Sequence, residues 1–438
     1  MRYYPTAGAA AEAGFRPCLR CRPESAPGSP AWNGASTTVT RTLRLVAEGG
    51  FHGRSVEELS ERLGVTTRHL RRLFTRHLGA SPKSVALTQR LHFAKKLLDE
   101  TRLPVAEIAL ASGFGSVRSF NEAFRKTYDR TPRDVRRLAR DGGVSPTSSG
   151  WSLKLSYRPP LDWGAMVGFL GPRATPGVER IEGEVYRRTI EIDGRVGALE
   201  VRPASGDHAL VLTIHHPDSR TLFAIVSRVR QLFDLDADTS EISERLRGDR
   251  RLARAVRARP GLRVPGAWDG FELAVRAILG QQVSVKGATT LAGRLTRLYG
   301  REMREPVFDG LERLFPRPSE LCALDPQAVG LPAARARAVE NLARAVRDGK
   351  LDFGETASSE NVRRALADLP GIGPWTVEYV AMRALRDPDA FPESDLGLLT
   401  ALTTGDRRIK PTELRARAEA WRPWRAYAAM HLWCGSAR

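Results

Sequence analysis

The segment Leu369-Pro370-Gly371-Ile372-Gly373-Pro374-Trp375-Thr376 has the residue types of a tight turn that can do chemistry. It lies between two helical runs, about 359–368 and 375–386. Two glycines spaced two apart allow a sharp hairpin between helices. The N–H groups at the start of the second helix are then free to hold a phosphate, which anchors DNA by its backbone without reading sequence. An ordinary αα-turn, with glycine as C-cap and proline at the first helical position, fits the same residues. Asp395 follows 22 residues after Gly373, in Phe391-Pro392-Glu393-Ser394-Asp395-Leu396. An aspartate before a helical run is most often an N-cap. Its other reading is a carboxylate fixed for chemistry.

A hairpin of this kind needs a helical scaffold. From about 237 to the end the pattern is helical, with loops marked by Pro and Gly. Two stretches rich in Pro, Gly and Ser, 23–36 and 141–150, read as linkers. Between them lies a basic helical block with an internal repeat. Val56 to Val65 matches Val105 to Phe114, displaced by 49 residues, and Leu70 and Phe74 then match Phe120 and Phe124. Each copy reads as a short amphipathic helix, a glycine turn and a second helix rich in Arg and Ser/Thr, which is the helix-turn-helix pattern. The segment between the copies, about 83–101, has strong helix formers and would span roughly 28 Å. Residues 31–140 hold 21 Lys/Arg against 10 Asp/Glu, a net of +11. A local surplus of this size favours a polyanionic partner, because neutralised phosphates release counterions.

Residues 153–236 alternate in hydropathy, as in Arg188–Ile192, Val196–Val201 and Ala209–Ile214, with turn pairs at Asp193-Gly194 and Gly206-Asp207. Helix-like stretches follow Trp163 and Thr221. The segment reads as a small antiparallel α+β domain.

The repeat block resembles the AraC-type DNA-binding domain over its whole length, its second copy through Gly113-Phe114, Ser116, Arg118, Phe120-Asn121, Phe124-Arg125-Lys126 and Thr131-Pro132. The resemblance places sequence-reading residues at Thr66, Arg68, Arg71, Ser116, Arg118 and Asn121.

Residues 153–438 resemble 3-methyladenine DNA glycosylase II of the helix-hairpin-helix superfamily, the AlkA type. Besides the hairpin and Asp395, this rests on Pro159-Pro160, Asp162-Trp163 and Gly168-Phe169-Leu170, on Ala277 to Ser284 with Gln281-Gln282, and on Trp421 to Trp433. The resemblance implies that Asp395 is the catalytic carboxylate. Trp433, Trp375, Tyr379 and Phe169 would line the base pocket, Gly371, Ile372 and Gly373 would bind a DNA phosphate, and Gln281 and Gln282 would wedge into the space of a flipped base. Breaking an N-glycosidic bond builds positive charge on the sugar, which a fixed carboxylate stabilises. The base must first leave the stack, and aromatic faces favour a cationic, alkylated purine. Bifunctional relatives carry a Schiff-base lysine near the hairpin. Here Trp375 stands at that place, so hydrolysis by water without a lyase step is expected.

The N-terminal residues Ala13 to Pro23, with Cys18 and Cys21, resemble the end of the Ada zinc-binding module. A four-thiolate zinc site needs two cysteine pairs. Cys18 and Cys21 make half a site and read as two exposed thiols, so zinc is expected only if a further pair lies upstream of Met1. Methyl transfer is not supported, and catalysis needs no cofactor. The four cysteines are too scattered for a disulfide framework, no apolar run is long enough to span a membrane, and Met1 to Pro5 lacks a signal-peptide core. A cytoplasmic, nucleoid-associated protein is expected.

The expected architecture is multidomain and mainly α. A partial zinc module (1–30) is followed by a double helix-turn-helix domain (37–140), a linker (141–152), a small antiparallel α+β domain (153–236) and an all-α helix-hairpin-helix glycosylase domain (237–438). The expected partner is double-stranded DNA, damaged or promoter, with the protein a monomer. The expected activity is release of alkylated purines, joined to regulation of the alkylation response. The rivals are a regulator whose C-terminal half binds DNA without catalysis, and a glycosylase for oxidised or deaminated bases.

Overall fold

The computed structural model describes residues 4, 6–17, 37–47, 55–139, 150–354, 357–403 and 409–436. These fall into two compact units, Met1–Arg158 with Glu191–Arg230, and Pro159–Ile190 with Gln231–Arg438. Cys18, Cys21 and most of the linker 141–152 lie outside the described residues. Trp151 and Ser152, expected in that linker, instead begin a strand.

The first unit opens with helices α1 (Ala7–Glu12) and α2 (Thr37–Ala47). The two helix-turn-helix copies are α3 (Val56–Leu63) with α4 (Thr67–Leu78), and α6 (Val105–Ala111) with α7 (Val117–Tyr128). In the first copy Ser55 and Glu58 form a capping box at the start of α3, and Gly64 turns the chain at φ 68°. In the second, Gly113 does the same at φ 78°. Both turns therefore need the left-handed backbone that glycine adopts without steric cost. The matched apolar positions are the ones that pack: Leu70, Phe74, Phe120 and Phe124 are all fully buried. Between the copies runs α5 (Pro82–Glu100), 19 residues long, and α8 (Pro132–Ala139) closes the block.

Strands β1 (Trp151–Ser156), β4 (Arg195–Pro203) and β5 (Ala209–His215) belong to the same unit, β5 pairing antiparallel with both β1 and β4. Asp193 and Gly194 both have positive φ, 50° and 75°, as a two-residue hairpin turn requires. The far end of α5 is fastened to β1. Lys96 Nζ reaches Glu100 at 3.0 Å and the Lys154 carbonyl, while Glu100 accepts the Lys154 N–H at 2.7 Å. Phe93 meets Phe223 edge-on, with centroids 4.9 Å apart. Phe223 lies on α10 (Leu222–Leu232).

The second unit holds α9 (Trp163–Leu170), capped by Asp162, and β2 (Glu179–Glu182) paired antiparallel with β3 (Val185–Ile192), of which the residues up to Ile190 fall in this unit. β1 and β2 were not read from the sequence: Trp151 and Ser152 of β1 fell in the expected linker, and β2, Glu-Arg-Ile-Glu, is four residues long with one apolar residue. The all-α part comprises α11 (Thr239–Leu246), α12 (Arg250–Ala258), α13 (Gly270–Leu279), α14 (Val285–Tyr299), α15 (Pro326–Val329), α16 (Ala333–Arg347), α17 (Ser359–Ala367), α18 (Pro374–Arg383), α19 (Leu396–Ala401), α20 (Pro411–Ala418) and α21 (Arg425–Ser436). Helix α13 is its centre: eight of its ten residues are buried, and it packs on α14, α16 and α18. Among the described residues no helix is long and apolar enough to cross a membrane.

Candidate active site

The hairpin forms where the glycines predicted it. Helices α17 and α18 are joined by a turn in which Gly371 has φ +90°, and a Cβ there would lie 2.7 Å from Ala338 Cβ on α16. Glycine at 371 is required twice over, by conformation and by close approach. Gly373 differs. Its φ is −92°, which any residue adopts, and a Cβ there would meet nothing within 4 Å. Ile372 points inward and is 8% exposed. Whatever the hairpin holds, it holds through backbone groups. Gly373, Trp375 and Thr376 are at the N-terminus of α18, where N–H groups have no partner within the helix.

Next to the hairpin is a cleft of about 1210 Å³ lined by Phe169, Trp375, Tyr379 and Trp433, with Asp395 opening onto it. These four rings were expected together and are together. Trp375 stacks on Tyr379 with centroids 5.0 Å apart and planes at 11°. Phe169 and Trp433 lie 6.2 Å apart at 26°.

Asp395 both caps a helix and lines the cleft. It is the N-cap of α19, its Oδ1 accepting the Leu398 N–H at 3.0 Å. The same oxygen accepts the indole N–H of Trp433 at 2.8 Å, and Oδ2 accepts that of Trp375 at 2.8 Å. Three donors thus fix the half-buried carboxylate in the wall of the cleft. Gly397 makes room for it, since a Cβ there would come within 3.1 Å of Oδ1 and 3.2 Å of the Trp433 ring. Leu396, beside it, is 61% exposed at the cleft mouth.

Gln281 and Gln282 occupy the turn between α13 and α14, but they do not share an environment. Gln282 is exposed with φ +55°. The Gln281 amide is turned onto the hairpin, donating to Gly371 O and to Thr376 Oγ1, each at 3.1 Å.

Beneath the rings lies an ionic layer that sequence reasoning missed. Arg383 donates to the Tyr379 hydroxyl at 2.8 Å, and Arg173 stacks on Phe169 at 3.9 Å. Burial would raise the Tyr379 phenol pKa, but the guanidinium groups of Arg383 and Arg173 outweigh it and lower the value. Deeper still, Arg276 bridges Glu179 at 2.7 Å and Glu272 at 2.9 Å, and Arg188 reaches Glu272 at 2.8 Å. Burial raises the Glu179 carboxyl, yet Arg276 and Arg188 bring it down to about 2. The members come from four separate stretches of chain and carry no local signal.

In the other unit, Thr66, Arg68, Arg71, Ser116, Arg118 and Asn121 are all exposed. Thr66 and Ser116 serve as N-caps of α4 and α7, accepting from His69 N and Ser119 N. Arg71 lies 3.6 Å from Glu57 and Arg118 3.1 Å from Glu122, both pairs strongly exposed. Among the described residues no group of three or more His, Cys, Asp or Glu side chains is placed to hold a metal ion.

Fold and site define the class: a helix-hairpin-helix domain with a carboxylate in an aromatic cleft, together with an α+β domain and a double helix-turn-helix domain. Comparison with known proteins agrees. The AlkA N-terminal domain family matches residues 152–269, a helix-turn-helix domain family 59–138, and the metal-binding domain of Ada 1–24. The Mycobacterium tuberculosis protein named probable bifunctional transcriptional activator/DNA repair enzyme AlkA is 41% identical over 438 residues, covering 99% of this chain and 87% of that protein. The Escherichia coli DNA-3-methyladenine glycosylase 2 is 36% identical over 283 residues, covering 64% of this chain and 95% of that protein. The solved 3-methyladenine DNA glycosylase of Archaeoglobus fulgidus shares the fold, with a TM-score of 0.55 at 22% identity over 65% of this chain and 98% of that one. This chain belongs to the AlkA family of bifunctional transcriptional activators and DNA repair enzymes.

Proposed function

We propose that this protein hydrolyses the N-glycosidic bond of alkylated purines of the 3-methyladenine type, leaving an abasic site, and that its helix-turn-helix block binds promoter DNA of the alkylation response. The observation that carries the first half is the Asp395 carboxylate, held by the indole N–H groups of Trp375 and Trp433 in the wall of an aromatic cleft. In this reading the damaged nucleotide is extruded from the duplex and its base enters between the rings, which favour an electron-poor cation. Asp395 then faces the sugar and stabilises the positive charge that develops as the bond breaks. It also orients or deprotonates the attacking water. No lysine stands at the hairpin where Trp375 is, so the reading includes no Schiff base and no strand cleavage.

Gly371, Ile372 and Gly373 anchor a phosphate through backbone groups, and Gln282 intrudes into the stack. Arg68, Arg71, Arg118 and Asn121 read bases in the major groove, with Thr66 and Ser116 at the starts of the reading helices. The domains run as the sequence suggests except that the α+β domain begins at Trp151, and the setting is the nucleoid of the cytoplasm. A zinc ion at Cys18 and Cys21 would need two further donors.

The purified protein, incubated with methylated, oxidised and uracil-containing duplexes, should release base from the first alone and leave the strand uncut. No release from methylated DNA favours a regulator whose C-terminal half binds DNA without catalysis.

A further inference from the structure

We infer that Gln281 is a positioning residue that fastens the turn carrying Gln282 to the hairpin, so that intrusion into the duplex and grip on its backbone act as one rigid clamp. This rests on the function proposed above.

The Gln281 side-chain amide bridges two groups of the hairpin, Gly371 O and Thr376 Oγ1, each at 3.1 Å. The Gln281 backbone carbonyl accepts from Arg335 Nη2 at 2.6 Å. Arg335 belongs to α16, and so does Ala338, the residue against which Gly371 is pressed. One helix therefore braces both parts, the turn through Arg335 and the hairpin through Ala338. Gln282, next in the chain, is exposed and held at φ +55°, a backbone state that a residue with a Cβ adopts only under constraint. The fastened neighbour supplies that constraint.

The mechanical reason is simple. A side chain pushed between base pairs meets resistance from stacking, and the push has effect only if the same body holds the phosphates. A turn free to recoil would yield instead. Gln281 has a donor that reaches the hairpin, whereas an apolar residue of equal size would leave the Gly371 carbonyl and the turn unconnected.

The test uses the full-length protein and duplexes carrying one methylated purine, either paired or in an unpaired bulge. An unpaired base has little stacking left to lose. Gln281→Met should slow single-turnover release from the paired lesion about tenfold and from the bulge less than about twofold. Thr376→Val, which removes one of the two acceptors of the Gln281 amide, should show the same preference in weaker form. In a Gln282→Ala background Gln281→Met should add almost nothing, because a positioning residue acts only through what it positions. Equal slowing on both substrates, or effects of Gln281→Met and Gln282→Ala that multiply, overturns the inference. Fluorescence of 2-aminopurine beside the lesion reads unstacking without bond cleavage. If the wild type releases no base but unstacks its neighbour, and Gln281→Met does not unstack it, the glycosylase reading falls and the positioning role stands. If the wild type does neither, both fall.

Discussion

The indole Nε1 of Trp375 lies 2.8 Å from Asp395 Oδ2. Trp375 stands in the second helix of the hairpin, so the element proposed to grip DNA also orients the proposed catalytic carboxylate. Trp375→Phe keeps a ring to stack on Tyr379 and removes only the donor. A hydrogen bond to a charged group is worth about 1.5–3 kcal/mol, and each 1.4 kcal/mol is about tenfold in rate. The expected result is a kcat reduced about tenfold or more with KM little changed, measured on methylated duplex DNA.

Gly397 sits where a methyl group would touch both Asp395 Oδ1 and the Trp433 ring. Gly397→Ala should therefore disturb the carboxylate and the ring together. A displacement of about 1 Å can cost about a hundredfold in rate, so a loss of at least tenfold is expected, with thermal unfolding shifted by only a few degrees. A variant as fast as the wild type would show that the fit around the carboxylate is not critical.

Two glycine motifs illustrate what sequence shows and what it hides. In the repeat block Gly64 and Gly113 recur at matching positions, and both adopt the left-handed turn that the pattern implied. Period, glycine and buried aromatics agreed there, so the double helix-turn-helix could be read directly. At the hairpin the two glycines looked equivalent, yet only Gly371 needs its missing side chain for the fold itself. Gln281 and Gln282 likewise looked like a pair, and only the folded chain turns one amide toward the hairpin. The Glu179, Arg188, Glu272 and Arg276 layer was invisible because long-range charge pairing leaves no periodicity in sequence.

His431, two residues before Trp433, is 3% exposed, and its Nδ1 has no partner among the described residues. Burial first, then Arg259, push its imidazole down from 6.5 to about 4, with Asp162 opposing. The folded value lies below the unfolded one, so the neutral ring favours the fold. That contribution is complete above about pH 6.5 and is lost as pH falls toward 4. Between pH 7 and 5 the wild type should therefore lose more thermal stability than His431→Leu. His92 is depressed to about 4 as well, and it is present in both proteins, so the difference isolates His431. Parallel pH profiles would contradict the assignment.

Arg118 and Asn121 are exposed on the second helix of the second copy. Each base contact is worth about 1–3 kcal/mol, so Arg118→Ala and Asn121→Ala should each weaken binding to the preferred DNA sequence about tenfold. Selection of bound sequences from a random library, followed by titration at fixed salt, provides the measurement. Base release should be unchanged. Undiminished preference in both variants would remove these residues from sequence reading.

The most direct test concerns the charge on residue 395. Asp395→Asn preserves size and an acceptor for the Leu398 N–H while removing the negative charge beside the sugar. Loss of one preorganised electrostatic group costs about a hundred- to a thousandfold. Release of 3-methyladenine from methylated duplex by Asp395→Asn should fall by at least about a hundredfold, with affinity for the same duplex within about threefold of wild type. Release at the wild-type rate would contradict the assignment of Asp395 as the catalytic group.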